Sequence, residues 1–108
     1  MSGNTGSLRY MAPEVARMDS YNEKVDVHSF GILLWQVASR DLPFKGFTRE
    51  DYMKFVVEFG LRPDIPSSWP KSVKKLLSQC WDPGAELRPS FEVVVARFKK
   101  MMEELAPL

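Results

Sequence analysis

The sequence predicts an all-α domain, and three observations carry that prediction. The stretch 24–40, KVDVHSFGILLWQVASR, is apolar in nearly every direction between Val27 and Ala38. A surface helix shows one apolar stripe, so this pattern describes a central buried helix, about residues 22–40, with the other elements packed around it. Three later stretches repeat apolar residues at helical spacing. No stretch alternates apolar and polar residues as a half-buried strand does.

Taken in order, residues 1–7 are small and polar and read as a loop. Pro13 suits the first turn of a helix, where its missing N–H costs nothing, so a short helical turn is expected over 13–17. Residues 19–22 (DSYN) read as a turn, with Asn22 as N-cap of the central helix and Glu23 placed favourably against its dipole. The central run is shorter than the roughly 20 apolar residues of a membrane span, and Asp26, His28, Ser29 and Gln36 interrupt it. Residues 41–46 (DLPFKG) break the chain.

Thr48 then reads as an N-cap with Glu50 and Asp51 behind it, opening a helix that runs to Phe59 and stops at Gly60. Its positions Tyr52, Phe55, Val56 and Phe59 fall at i, i+3, i+4, i+7 and are expected to face the core. Met53 and Val57 lie on a second face with no obvious internal partner, which makes them the expected docking surface for a protein partner. Residues 62–70 hold three prolines and read as an extended loop. A helix over 71–81 is expected to bury Val73, Leu76, Leu77, Cys80 and Trp81 and to turn Lys71, Lys74 and Lys75 to water. Residues 82–85 (DPGA) end it. Ser90 caps a last helix whose apolar face is Phe91, Val94, Val95, Phe98, Met101, Met102 and Leu105.

The length suits one domain. With 15 basic and 14 acidic residues, the charge gives no electrostatic reason to expect nucleic acid or an anionic membrane as partner. One cysteine, Cys80, excludes an intrachain disulfide and fits a reducing, cytoplasmic compartment. It sits on an apolar face between Leu77 and Trp81 and reads as a buried, inert thiol. His28 is the lone histidine, with no partner at metal-ligand spacing, so it reads as packing or surface and no metal site is expected.

Residues 6–14, GSLRYMAPE, resemble the end of a protein-kinase activation segment closing on its Ala-Pro-Glu motif. The blocks that follow in that family occur here in order: 26–31 (DVHSFG), Pro43-Phe44, 60–63 (GLRP), Cys80-Trp81 and 88–91 (RPSF). The resemblance covers essentially the whole chain and is closest to the tyrosine-kinase-like serine/threonine kinases. It implies a helical C-terminal lobe over residues 1–108, taken as a partial kinase domain. It also implies that Gly6 and Ser7 position a hydroxyl-bearing substrate, and that Thr5 and Ser2 lie in the activation loop. There, phosphate would order the segment through arginine; the plainer reading is that both are polar loop residues. Glu14 and Arg88 are implied as the ion pair clamping the segment to the lobe. Asp26 and Trp35 are implied as structural anchors, Asp26 by accepting hydrogen bonds from the catalytic loop.

Phosphoryl transfer in this family also needs a Gly-rich loop, a strand lysine, a catalytic-loop Asp and Asn, and a magnesium-binding Asp. No G-x-G-x-x-G, V-A-I-K, H-R-D or D-F-G occurs in these 108 residues. No catalytic, cofactor-binding or metal residue is therefore carried over, and ATP and magnesium are expected only of a full kinase. The competing expectation is a non-catalytic helical binding module or a pseudokinase-like scaffold.

Overall fold

The computed structural model describes residues 8–105. Every regular element among them is helical. The order is α1 (Pro13–Ala16), α2 (Lys24–Ser39), α3 (Arg49–Asp51) running directly into a π-helix (Tyr52–Glu58), α4 (Lys71–Cys80), a 3-10 turn (Ala85–Leu87) and α5 (Phe91–Leu105). Helix α2 lies at the centre, against α4 above all, with α5 and the 3-10 turn also in contact.

Local chemistry sets the helix ends. Asn22 Oδ1 accepts the Lys24 N–H at 2.9 Å, which satisfies one of the free donors at the start of α2. Arg40 ends the helix in the left-handed region, φ 59°, and donates its N–H to the Gln36 carbonyl. Thr48 forms a reciprocal capping box with Asp51, both bonds at 3.1 Å. Ser90 Oγ accepts from the Val93 N–H at the start of α5.

The packing of α2 on α4 is close enough to require glycine. A Cβ built on Gly31 would lie 2.7 Å from the Cβ of Cys80. Around this contact the core gathers Val27, Ile32, Leu76, Leu77, Cys80, Trp81 and Val94. Phe30 sits edge-on to Phe91 and Phe98, with ring centroids 5.7 and 5.9 Å apart.

Four expectations are modified by the structure. The apolar character of α2 on all sides is only partly matched by burial: Val27, His28, Gly31, Ile32 and Trp35 are buried, while Leu33 and Val37 are exposed on the opposite side. In α5, Val94 and Met101 are buried and Phe98 half-buried, but Phe91, Val95 and Met102 are exposed, because the expected face is wider than the strip that α2 and α4 cover. Lys74 is half-buried rather than solvated.

The fourth concerns the helix after Thr48. Tyr52 and Val56 are buried as expected, but Phe55 and Phe59 are exposed, whereas Met53 and Val57 are half-buried against the core. Winding explains the exchange. The backbone here is π-helical, with Phe59 N–H donating to the Lys54 carbonyl five residues back. That takes roughly one residue more per turn than the α-helix. Over seven residues the smaller rotation per residue swings Phe55 and Phe59 away from Tyr52 and brings Met53 and Val57 beside it.

Two outcomes follow from this packing. Gly31→Ala is expected to cost roughly 1–3 kcal/mol through overpacking against Cys80; a urea melt with an unchanged midpoint would show that α2 and α4 separate freely. The open side of α2 is expected to bind the dye ANS, because contiguous exposed apolar surface does so. Leu33→Ser with Val37→Ser should lower that fluorescence without lowering the melting temperature. Unchanged fluorescence would place the dye elsewhere.

Candidate functional site

The chemistry of this chain centres on how residues 8–17 are held across the lobe. Tyr10 donates its hydroxyl to Gln36 Oε1 on α2. Ser29 Oγ donates to the Tyr10 carbonyl at 2.6 Å, and Tyr52 in the π-helix donates to the Met11 carbonyl. Arg9 Nε reaches the Pro43 carbonyl at 3.1 Å. Four side chains from three parts of the chain thus hold the turn that leads into α1. Burial pushes the Tyr52 phenol up to about 12, so it stays a neutral donor.

Just beyond, Glu14 and Arg88 meet across 74 positions of sequence in a two-pronged ion pair. Arg88 Nη1 lies 2.7 Å from Glu14 Oε2 and Nη2 lies 2.9 Å from Oε1. Both residues are buried, at 6% and 2% exposure. The guanidinium spends two further donors on carbonyls: Nε on Asp82 at 2.9 Å and Nη1 also on Lys24 at 3.1 Å. Lys24 reciprocates, donating Nζ to the Arg88 carbonyl at 2.7 Å. Burial alone would raise the Glu14 carboxyl, but the Arg88 hydrogen bonds and charge, with a backbone bond, outweigh it and leave the group below its ordinary value. Glu14 sits at the start of α1, where the helix dipole also favours an anion.

His28 is completely buried, and neither ring nitrogen has a hydrogen-bond partner among the described residues. Burial pushes its pKa down to about 3, and the nearby Arg62 and Arg88 charges push the same way. It is therefore a neutral packing residue near the ion pair. Arg62 was quoted in the sequence only as part of a motif, yet it is a second, half-buried staple. Its Nε donates to the Trp81 carbonyl at 2.9 Å, and its Nη1 to the Leu61 carbonyl at 2.9 Å and the Val56 carbonyl at 3.3 Å. It joins the end of the π-helix to the end of α4. Lys24 and Arg62 give no periodicity signal, because their partners are main-chain carbonyls.

Trp35 is buried and donates its indole N–H to the Asp64 carbonyl at 2.8 Å, tying α2 to the proline-rich loop. Asp26 lies in the first turn of α2 with an exposed side chain. The expectations for Ser2, Thr5, Gly6 and Ser7 fall outside the described residues. Among the described residues, no three His, Cys, Asp or Glu side chains group as a metal would need. The family's Gly-rich loop, strand lysine, catalytic-loop and metal-binding motifs do not occur in the sequence, so no residue here is assigned to ATP or magnesium. Burial pushes the Cys80 thiol up to about 11, so it is no nucleophile. No helix among the described residues is long and apolar enough to cross a membrane.

A helical lobe whose buried arginine clamps an incoming Ala-Pro-Glu segment across a central helix defines the C-terminal-lobe class of phosphotransferase folds. The comparisons agree. The family model for protein tyrosine and serine/threonine kinases matches residues 1–98, and the chain belongs to that family. It is 45% identical over 103 residues to the dual specificity protein kinase shkA of Dictyostelium discoideum, covering 93% of this chain and 19% of that protein. It is 40% identical over 101 residues to the serine/threonine/tyrosine-protein kinase HT1 of Arabidopsis thaliana, covering 94% and 26%. It is 36% identical over 104 residues to mitogen-activated protein kinase kinase kinase 7 of Drosophila melanogaster, covering 96% and 15%. The chain thus spans about a quarter or less of each of these relatives.

The ion pair yields a stability test. Removing Arg88 strands a buried carboxylate, so Arg88→Ala is expected to cost roughly 3–5 kcal/mol. The exposed Lys71→Ala should stay within about 0.5 kcal/mol. Arg88→Lys should rescue only in part, since an ammonium lacks the planar fork. Equal denaturant midpoints for Arg88→Ala and Lys71→Ala would show that the pair carries no stability.

His28 yields a pH test. Unfolded, the imidazole binds a proton near pH 6.5; folded, it refuses one until about pH 3. Stability is therefore complete above 6.5 and falls as pH drops through that window, by at most about 1.4 kcal/mol per unit from this group. Glu14, whose carboxyl is held below its ordinary value, acts in the same direction at lower pH. His28→Phe should flatten the fall between pH 6.5 and 4.5, followed by thermal melts. An unchanged slope would mean the imidazole is not held neutral by the fold.

Proposed function

We propose that residues 1–108 are the substrate-docking and activation-segment-anchoring part of a tyrosine-kinase-like serine/threonine protein kinase domain. The observation that carries this is the buried Glu14–Arg88 fork, which closes on the Ala-Pro-Glu motif and fixes the segment leading into it. The full protein would transfer the γ-phosphate of ATP, with magnesium, to protein hydroxyls, using groups that lie outside this chain. Those groups would be the Gly-rich loop, strand lysine, catalytic-loop Asp and metal-binding Asp. In this reading Ser7, with Gly6, positions the acceptor hydroxyl, and Thr5 and Ser2 are the sites where phosphate would order the segment. Ser7 favours serine/threonine transfer, and relatives named as dual specificity kinases support dual specificity as the alternative. Asp26, exposed at the head of α2, would receive catalytic-loop amides. A single buried thiol supports a cytoplasmic setting.

Protein substrates or regulators would dock on the stretch from Arg49 to Phe59. Met53 and Val57 line a shallow groove there with Arg17, Arg49, Lys54 and Glu58. Phe55 and Phe59 stand beside it, their rings 6.4 Å apart, and exposed aromatic anchors dominate many interfaces.

The chain alone is expected to give no saturable heat with Mg-ATP; one-to-one micromolar binding would overturn the assignment of the nucleotide site to other residues. In the full-length protein, Phe59→Ser should leave the melting temperature unchanged and raise KM for a protein substrate several-fold. If KM is unchanged and only stability falls, the π-helix is core and not dock. Protein binding without any phosphate transfer by the full-length protein would assign the scaffold role instead.

A further inference from the structure

Helices α4 and α5 pack alongside one another and leave an open groove with a cavity volume of about 240 Å³. Its floor is apolar: Leu76 and Met101, both buried. Its rim is cationic, with Lys75 contributed by α4 and Arg97 and Lys100 by α5, against the single acid Glu104. None of the three cations takes part in the ion pairs found among the described residues. Arg97 is held in place by donating to Gln79 Oε1 on α4, so one charge of the rim is pre-oriented. The groove does not overlap the anchored segment, the Glu14–Arg88 pair or the Arg49–Phe59 stretch.

We propose that this groove binds an acidic peptide segment carrying one apolar side chain. Three cations to one anion select a ligand of opposite sign. The cations stand on two different helices on either side of the floor, so an elongated ligand with carboxylates flanking a central group meets them better than a compact anion. The floor supplies what charge alone does not, an apolar seat for one side chain between Leu76 and Met101. Pre-orientation of Arg97 removes part of the ordering cost of binding. The proposal is independent of the kinase reading.

The test uses the chain immobilised at low density through an N-terminal biotin, which keeps copies from associating. The probe is a fluorescein-labelled peptide of six acidic residues around one leucine, with a matched peptide in which serine replaces the leucine. Saturable binding is expected, weakening about tenfold with Lys75→Glu and Lys100→Glu together and falling as salt is raised. Both lysines are exposed, so these variants should keep the helical circular-dichroism signal of the parent. Glu104→Lys should tighten binding by about threefold, a gain that misfolding cannot mimic. The serine peptide should bind several-fold more weakly. Equal affinity of the two peptides, equal affinity of parent and double variant, or no binding by the parent would overturn the proposal. Full displacement of the peptide by inorganic phosphate, or by phosphatidylserine vesicles, would overturn it in favour of a simple anion or a membrane surface.

Discussion

The buried fork between Glu14 and Arg88 is the interaction on which the arrangement of this lobe depends. A buried charge is tolerated only when its partner and its remaining hydrogen bonds are all supplied. Here the supply comes from four separate places: Glu14 in α1, Lys24 at the head of α2, Asp82 after α4, and Arg88 itself ahead of α5. The carbonyls of Lys24 and Asp82 point at the guanidinium only if α2 and α4 end where they do. The ion pair and the helix packing therefore hold each other in place. Closing so long a loop adds little entropy cost beyond a shorter one, since the cost grows only logarithmically with length.

Beside the fork lies a polar interior that is not fully compensated. His28 is buried with both nitrogens unpartnered, and Arg62 keeps one buried amino group, Nη2, without a partner among the described residues. Burial first, and the two positive guanidinium groups near it second, keep the imidazole neutral. The same buried setting that makes the Glu14–Arg88 bonds strong makes any additional charge there costly. The anchoring of the segment and the acid sensitivity expected of the lobe thus have one physical origin.

The stretch after Thr48 shows how backbone winding decides which side chains are available to a partner. Its capping box starts an ordinary α-helix, and the change to π winding at Tyr52 redistributes the apolar residues. Tyr52 remains inside because its hydroxyl is engaged by the Met11 carbonyl. Phe55 is carried outward, where it meets Phe47 with ring centroids 6.2 Å apart and lies beneath the Lys54 ammonium. Such an aromatic surface is held by its neighbours and still open to a ligand.

The sequence by itself determined the helical class, the caps at Thr48 and Ser90, the Asn22 oxygen that accepts an N–H at the start of α2, and the buried side of α4. Each of these rests on local chemistry, a side-chain oxygen beside free N–H groups or a period of 3.6 residues. The motif blocks also brought Glu14 and Arg88 to notice. Only the tertiary structure decided the rest. Leu33 and Val37 carry the same apolar signal as Ile32, and their exposure depends on where α4 and α5 lie. A period written for the α-helix placed Phe55 and Phe59 inside, and the π winding that moves them is a backbone property with no side-chain signature here. Lys24 and Arg62 bind main-chain carbonyls brought near by folding, and a carbonyl is present at every position of a sequence. Gly31 could have been a helix defect or a close contact; the Cys80 side chain against it settles that, because the neighbour across a helix interface is supplied by the fold and not by the adjacent residues.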